Sequence, residues 1–162
     1  MKKSNDEKEL KPVKDLYNPA LVNSDTDLSQ LEDSLLQFSK QKSPEAGVNL
    51  LFWGLPGTGK TEFAKYLSKK LKKELIYKRY SEISSKYVGE TEKNIARAFQ
   101  EAERKNAVLM LDEADSLFSD RENARQPWEK TQTNELLTRM ENFKGVFIAC
   151  TNLLNHLDAA AL

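Results

Sequence analysis

Eight consecutive residues carry the clearest chemistry in this sequence. Gly54-Leu55-Pro56-Gly57-Thr58-Gly59-Lys60-Thr61 fits the pattern G-x-x-x-x-G-K-[ST]. Phosphate oxygens need several backbone N–H groups converging on one point, and glycines let a chain wrap that closely because no Cβ intervenes. A helix beginning near Lys60 aims the positive end of its dipole at the same place. Lys60 supplies a full charge for β- and γ-phosphates, and the Thr61 hydroxyl is a hard oxygen donor suited to Mg²⁺.

Two more groups belong to the same chemistry. The apolar run Val108-Leu109-Met110-Leu111 ends in Asp112-Glu113. Carboxylates at the carboxyl end of a buried parallel strand face the crevice where ligands bind in open α/β sheets. Asp112 suits the Mg²⁺ shell, usually through water because this ion dehydrates reluctantly, and Glu113 could polarise a water for attack on a γ-phosphate. Phe147-Ile148-Ala149-Cys150-Thr151-Asn152 repeats the pattern, and the Asn152 amide has both a donor and an acceptor with which to contact that phosphate and orient the water. Cys150 has apolar neighbours and reads as a small core residue rather than a nucleophile. His156 is the only histidine and has no partner cluster, so it receives no catalytic role; Trp53 and Trp128 read as packing or interface residues.

Positioning these groups requires strands and helices in alternation. Leu28, Leu31, Leu35 and Leu36 recur at helical spacing, and Ser43–Gly47 reads as a loop. Beyond it, strands are expected over Asn49–Trp53, Leu75–Tyr80, Ala107–Leu111 and Val146–Cys150. Helices are expected over Thr61–Lys73 and Glu92–Lys105, with a third that has Pro127 in its first turn and continues through Leu136, Leu137 and Met140. Apolar strands separated by amphipathic helices imply an α/β fold, a three-layer parallel sheet with helices on both faces. Residues 1–15 are dominated by Lys, Asp and Glu and read as a disordered tail, 16–46 as an arm with a short helix, and 47–162 as the folded unit.

Composition sets the outer bounds. The 162 residues are enough for one domain with a real core and too few for two. No stretch approaches the length of a membrane-spanning helix. Lys plus Arg and Asp plus Glu both number 25, so a uniformly basic nucleic-acid binder is disfavoured. A single cysteine excludes an internal disulfide and a multi-cysteine metal site. Met1-Lys2-Lys3 is followed by polar Ser4-Asn5-Asp6-Glu7 where a signal peptide needs an apolar region, so a cytoplasmic location is expected.

Taken together, these motifs resemble the AAA family of ATPases within the wider AAA+ group. GLPGTGKT (54–61) resembles its Walker A loop, LMLDEADSLF (109–118) its Walker B strand and IACTN (148–152) its sensor-1 strand. Ser85-Lys86-Tyr87-Val88-Gly89-Glu90-Thr91-Glu92-Lys93-Asn94-Ile95 is similar to the first pore loop and the helix after it, a far more specific signal than the phosphate loop alone. Asn134–Leu137 resembles the helix before sensor 1, and Leu157–Leu162 the start of the next helix, so the likeness spans about 47–162. Tyr17-Asn18-Pro19-Ala20-Leu21 is only loosely similar to the segment that passes the adenine in such proteins.

The resemblance implies a P-loop NTPase of AAA+ type, with ATP and Mg²⁺ as ligands. It implies nucleotide contacts from Gly54, Pro56, Gly57, Thr58, Gly59, Lys60, Thr61 and Asp112, with Thr61 and Asp112 toward the metal. Glu113, Lys60 and Asn152 take the catalytic positions. It further implies a homo-oligomer, a hexameric ring in the intact protein, whose pore loop Lys86-Tyr87-Val88-Gly89 grips a polypeptide substrate. In the family, arginines that reach the neighbouring subunit's nucleotide, a fifth strand and a helical lid lie beyond the position matched by Leu162. The fold is therefore expected to be incomplete at the C-terminus. Arg121 and Arg125 do not match the arginine-finger position. The chain is accordingly expected to bind nucleotide better than it hydrolyses it. The strand Asn49–Trp53 is expected to be an open edge, with low stability or association as the consequence. Two other readings stay open. One is an AAA+ ATPase acting on nucleic acid through Lys65, Lys69, Lys70, Lys72, Lys73, Lys78 and Arg79; zero net charge and the Tyr87 loop weigh against it. The other is an ATP-dependent assembly switch with little remodelling activity.

Overall fold

Two apolar runs are buried along both faces, and they form the middle of the sheet. β3 (Val108–Asp112) is buried at its first four positions and β4 (Val146–Thr151) at all six. A strand covered on both sides needs an unbroken apolar run rather than alternation, which is what both sequences supply. β1 (Val48–Trp53) and β2 (Leu75–Arg79) are mostly half-buried and flank them. The computed structural model describes residues 17–19, 24–117 and 127–152. Within these the sheet is all-parallel in the order β1-β4-β3-β2.

Helices cover both faces, as the alternation of the sequence implied. Alternate residues of the central strands point opposite ways. On one side Val108, Met110, Ile148 and Cys150 pack with Leu35 of α1 (Leu28–Ser39) and Phe63, Ala64 and Leu67 of α2 (Lys60–Lys70). On the other, Leu109, Leu111, Phe147 and Ala149 meet Ile83 of the one-turn α3 (Tyr80–Ile83). Ile95, Phe99 and Ala102 of α4 (Glu90–Lys105) and Leu136 of α5 (Pro127–Asn142) complete that layer. Phe99 meets Phe143 edge-on, with ring centroids 5.3 Å apart. Asp27 caps α1 by accepting from the N–H groups of Ser29 (2.9 Å) and Gln30 (3.3 Å).

Several element boundaries differ from the pattern reading. The second strand stops at Arg79 rather than Tyr80, because the Arg79 N–H turns to the Glu82 carboxylate (2.9 Å) and opens α3. Helix α2 ends at Lys70 rather than Lys73; Leu71 caps it and Lys72 takes a left-handed φ of 54°. Trp53, read as a packing or interface residue, is 53% exposed at the end of β1. Among the described residues β1 pairs only with β4 and ends the sheet on that side. The expected tail at 1–15, Arg121, Arg125, His156, the expected helix start at 157–162 and the side chain of Trp128 lie outside the described residues.

Core and loop substitutions should separate cleanly. Met110 is fully buried, and Met110→Ala should cost about 2–5 kcal/mol in urea unfolding. Val88 is 88% exposed, and Val88→Ala should stay within about 0.5 kcal/mol. Equal costs at the two positions would contradict this placement of the core.

Candidate functional site

Parallel strands deliver their carboxyl ends to one side of the sheet, and all three chemical motifs sit at such ends. Trp53 pairs with Thr151 and Leu111 with Ala149, so the turn after β1, the end of β3 and the residue after β4 emerge side by side. The Gly54 N–H donates to the Thr151 carbonyl at 3.3 Å, carrying the β1–β4 contact into the loop. At Gly59, the N-cap of α2, φ is +92°, a conformation that a Cβ disfavours; this turn makes Lys60 the first residue of the helix. The Thr58 hydroxyl donates to the Leu55 carbonyl at 2.8 Å and tightens the loop from within.

Lys60 ties the site together. Its Nζ donates to the carbonyls of Gly54 (2.6 Å) and Leu55 (3.1 Å) and to Asn152 Oδ1 (2.9 Å). An ammonium has three protons, and each has an acceptor here. Asn152 is itself held, because its N–H donates to Asp115 Oδ1 at 3.2 Å and the neighbouring Thr151 hydroxyl donates to the same oxygen. Asp115 lies in a short 3-10 turn, Ala114–Ser116, directly after the acidic strand end. It therefore links the β3 and β4 termini, a role that pattern reading did not single out.

The acidic pair divides. Asp112 Oδ1 accepts from the Glu113 N–H at 2.9 Å, and Oδ2 accepts from the Tyr77 hydroxyl at 2.9 Å. Glu113 is exposed and has a left-handed φ of 58°. Lys72 and Asn106 share that conformation, but they follow helix C-termini, where it is common; Glu113 instead starts the 3-10 turn. Non-glycine residues held this way concentrate at functional sites. Burial first, and the nearby Asp112 charge second, push the Cys150 thiol up to about 12, which removes it as a nucleophile.

A cavity of about 390 Å³ opens beside the loop, lined by Tyr17, Thr26, Leu50, Phe52, Gly59 and Lys60 among others. Its size suits a small organic ligand. Tyr17 crosses from the N-terminal arm to stack loosely on Phe63 and Tyr66, at centroid distances of 6.2 and 5.7 Å. Its hydroxyl is buried and has no hydrogen-bond partner among the described residues, and burial raises its pKa, so it stays a neutral phenol. An orphaned phenol at the wall, a glycine cradle and a cation at its base fit a nucleotide. Thr61 and Asp112 are hard oxygen donors that fit Mg²⁺. No cluster of three or more metal-ligating side chains occurs among the described residues, and Mg²⁺ bound chiefly through phosphate and water needs none.

The loop Lys86-Tyr87-Val88-Gly89 stands apart from this site, on the connection that leaves β2 at the opposite edge of the sheet from β1. Its base is fixed: the Ser85 N–H donates to Thr91 Oγ1 at 2.9 Å, and the Ser85 hydroxyl donates to Glu90. Its tip is not packed into the domain, with Tyr87 65% exposed. Lys86 Nζ lies 5.2 Å from the Tyr87 ring centroid, within cation–π range.

Comparison with known proteins agrees with this geometry. Residues 50–162 match the model of the ATPase family associated with various cellular activities (AAA). The chain belongs to the AAA family. A protein named as a cell division cycle ATPase of Plasmodium falciparum is 33% identical over 120 residues, which is 71% of this chain and 10% of that protein. Protein SAV of Sulfolobus acidocaldarius is 35% identical over 122 residues, 72% of this chain and 15% of that protein. The chain thus spans a small part of the length of these curated relatives. In this AAA domain no helix among the described residues is long and apolar enough to cross a membrane.

The Cys150 environment gives a direct test of the site's packing. A thiol raised to about 12 carries almost no thiolate near neutral pH, so a thiol reagent at pH 8 should leave folded protein unmodified and label it promptly in urea. Equal labelling rates in both conditions would contradict the buried position of β4.

Proposed function

We propose that this AAA domain binds Mg²⁺-ATP at Gly54–Thr61, hydrolyses it with Glu113 as base, and couples turnover to the Tyr87 loop acting on polypeptides. The observation that carries the reading is the 2.9 Å hydrogen bond between Lys60 Nζ and Asn152 Oδ1. It joins the phosphate loop to the β4 terminus in one contact. Phosphate oxygens compete for the same ammonium against two backbone carbonyls and an amide, and a charge-assisted bond outcompetes neutral acceptors. The residues of the loop from Gly54 to Thr58 then hold the β- and γ-phosphates, and Tyr17 walls the adjoining cavity for the nucleoside.

Mg²⁺ would offset phosphate charge, with Thr61 and Asp112 as its protein ligands. Glu113 takes a proton from water as the water oxygen forms its bond to the γ-phosphorus. The bond from that phosphorus to the bridging oxygen breaks, leaving ADP and inorganic phosphate. Asn152, fixed by Asp115, orients the water and contacts the γ-phosphate. The catalytic arginine comes from an adjacent subunit in a hexameric ring, and such a residue contributes about 10³- to 10⁵-fold in related NTPases.

An exposed aromatic beside a glycine offers sequence-tolerant apolar contact, which suits gripping arbitrary chains in the cytoplasm. Nucleic acid is a weaker candidate. Of the lysines such a face would use, Lys65 pairs with Glu62 (2.7 Å), Lys78 with Glu101 (3.8 Å) and Lys73 with Asn106 (2.7 Å). In the intact protein, Glu113→Gln should retain ATP binding and lower turnover at least 100-fold, read by nucleotide retention and phosphate release. Tyr87→Ala should leave basal turnover intact and abolish its stimulation by an unfolded polypeptide. Full turnover by Glu113→Gln would refute the catalytic assignment, and unchanged stimulation in Tyr87→Ala the polypeptide one.

A further inference from the structure

Asp112 is steered from the neighbouring strand. β2 and β3 pair in register, Tyr77 with Met110 and Arg79 with Asp112, so all four residues share one face of the sheet. Tyr77 is therefore two register positions short of Asp112, about 6–7 Å along the strands, a diagonal that a tyrosine side chain can span. Its hydroxyl closes that gap and donates to Asp112 Oδ2 at 2.9 Å. Arg79 Nε donates to the same phenol oxygen at 3.0 Å, with its guanidinium carbon 5.8 Å from the Tyr77 ring centroid.

We propose that Tyr77, backed by Arg79, is the positioning residue that fixes the Asp112 carboxylate for Mg²⁺. The inference rests on the reading of Asp112 as a metal ligand. A carboxylate has about four acceptor positions, and unrestrained it turns about its last torsion. Here one position on each oxygen is engaged, by the Glu113 N–H and by the Tyr77 hydroxyl, which sets the plane of the group. One position on each oxygen remains toward the metal and its water shell. Arg79 occupies the phenol oxygen as a donor, so the single phenol proton is committed to Asp112. A hydrogen bond received by a hydroxyl also strengthens the one it gives. The ring meanwhile packs at the margin of the α1–α2 core, a purely structural role that must be separated from the polar one.

Tyr77→Phe keeps the ring and removes only the hydroxyl. ADP is titrated calorimetrically into the full chain with and without Mg²⁺. In the unmodified chain Mg²⁺ should tighten ADP binding. Tyr77→Phe should lose about 10-fold or more of that gain, the range seen when residues behind metal ligands are removed, while metal-free ADP affinity stays unchanged. Arg79→Gln, altering an exposed side chain, should lose part of the gain in the same direction, and it decides the matter should Tyr77→Phe fold poorly. A full Mg²⁺ gain in both variants, or equal weakening with and without the metal, would overturn the proposal. Absence of any Mg²⁺ gain in the unmodified chain would overturn the Asp112 reading beneath it, a separate and distinguishable failure.

Discussion

A lysine ammonium near a sheet edge has three protons to satisfy, and in this protein the whole site is arranged around where they go. Lys60 reaches two carbonyls of its own loop and one side-chain oxygen on the terminus of β4. The last of these is possible only because β1 and β4 are adjacent and parallel, so that Gly54 and Asn152 leave the sheet together. Strand order is thus the first constraint. Had β1 and β2 been neighbours in space as in sequence, the loop and the β4 terminus would have been separated. Insertion of β3 and β4 between them brings both the acidic pair and Asn152 toward the loop.

Around that contact, the β4 terminus and the Asp112 carboxylate are each held from a second direction. Asp115 fixes the β4 terminus, and Tyr77 with Arg79 fixes Asp112. Glu113 is left exposed in a left-handed conformation between two tethered neighbours. The buried strands beneath provide rigidity: Met110 and Cys150 are fully buried two residues before Asp112 and Asn152. Close-packed interiors resist small displacements, which is what a site built from three separate strand ends requires.

Much of this could be read before the fold was known, for identifiable reasons. β3 and β4 are central strands, and double-sided burial writes itself as an unbroken apolar run. Positive φ values at the phosphate loop demand glycine, so Gly57 and Gly59 mark the turn in any context. Contacts that depend on register were not legible. Tyr77 meets Asp112 because β2 and β3 align as they do, and register is a long-range outcome that neither strand encodes alone. Asp115 was hidden in the same way, acting from a one-turn element too short to leave a periodic trace. The four-residue α3 escaped detection because one turn offers no repeat, and its only signal was Glu82 three residues after Arg79. Trp53 read as a packing or interface residue, and it ends an edge strand, where its own neighbourhood in sequence does not determine what covers it.

The central claim is that Lys60 is the point through which the loop, the β4 terminus and a nucleotide phosphate are joined. Calorimetric titration of Mg²⁺-ADP into this chain, beside Lys60→Ala, tests it most directly. The account predicts measurable binding by the unmodified chain and a loss of about 10- to 100-fold or more in the variant, the range expected for removing a charged hydrogen-bonding partner, with its thermal midpoint nearly unchanged. Equal binding by both proteins would contradict it.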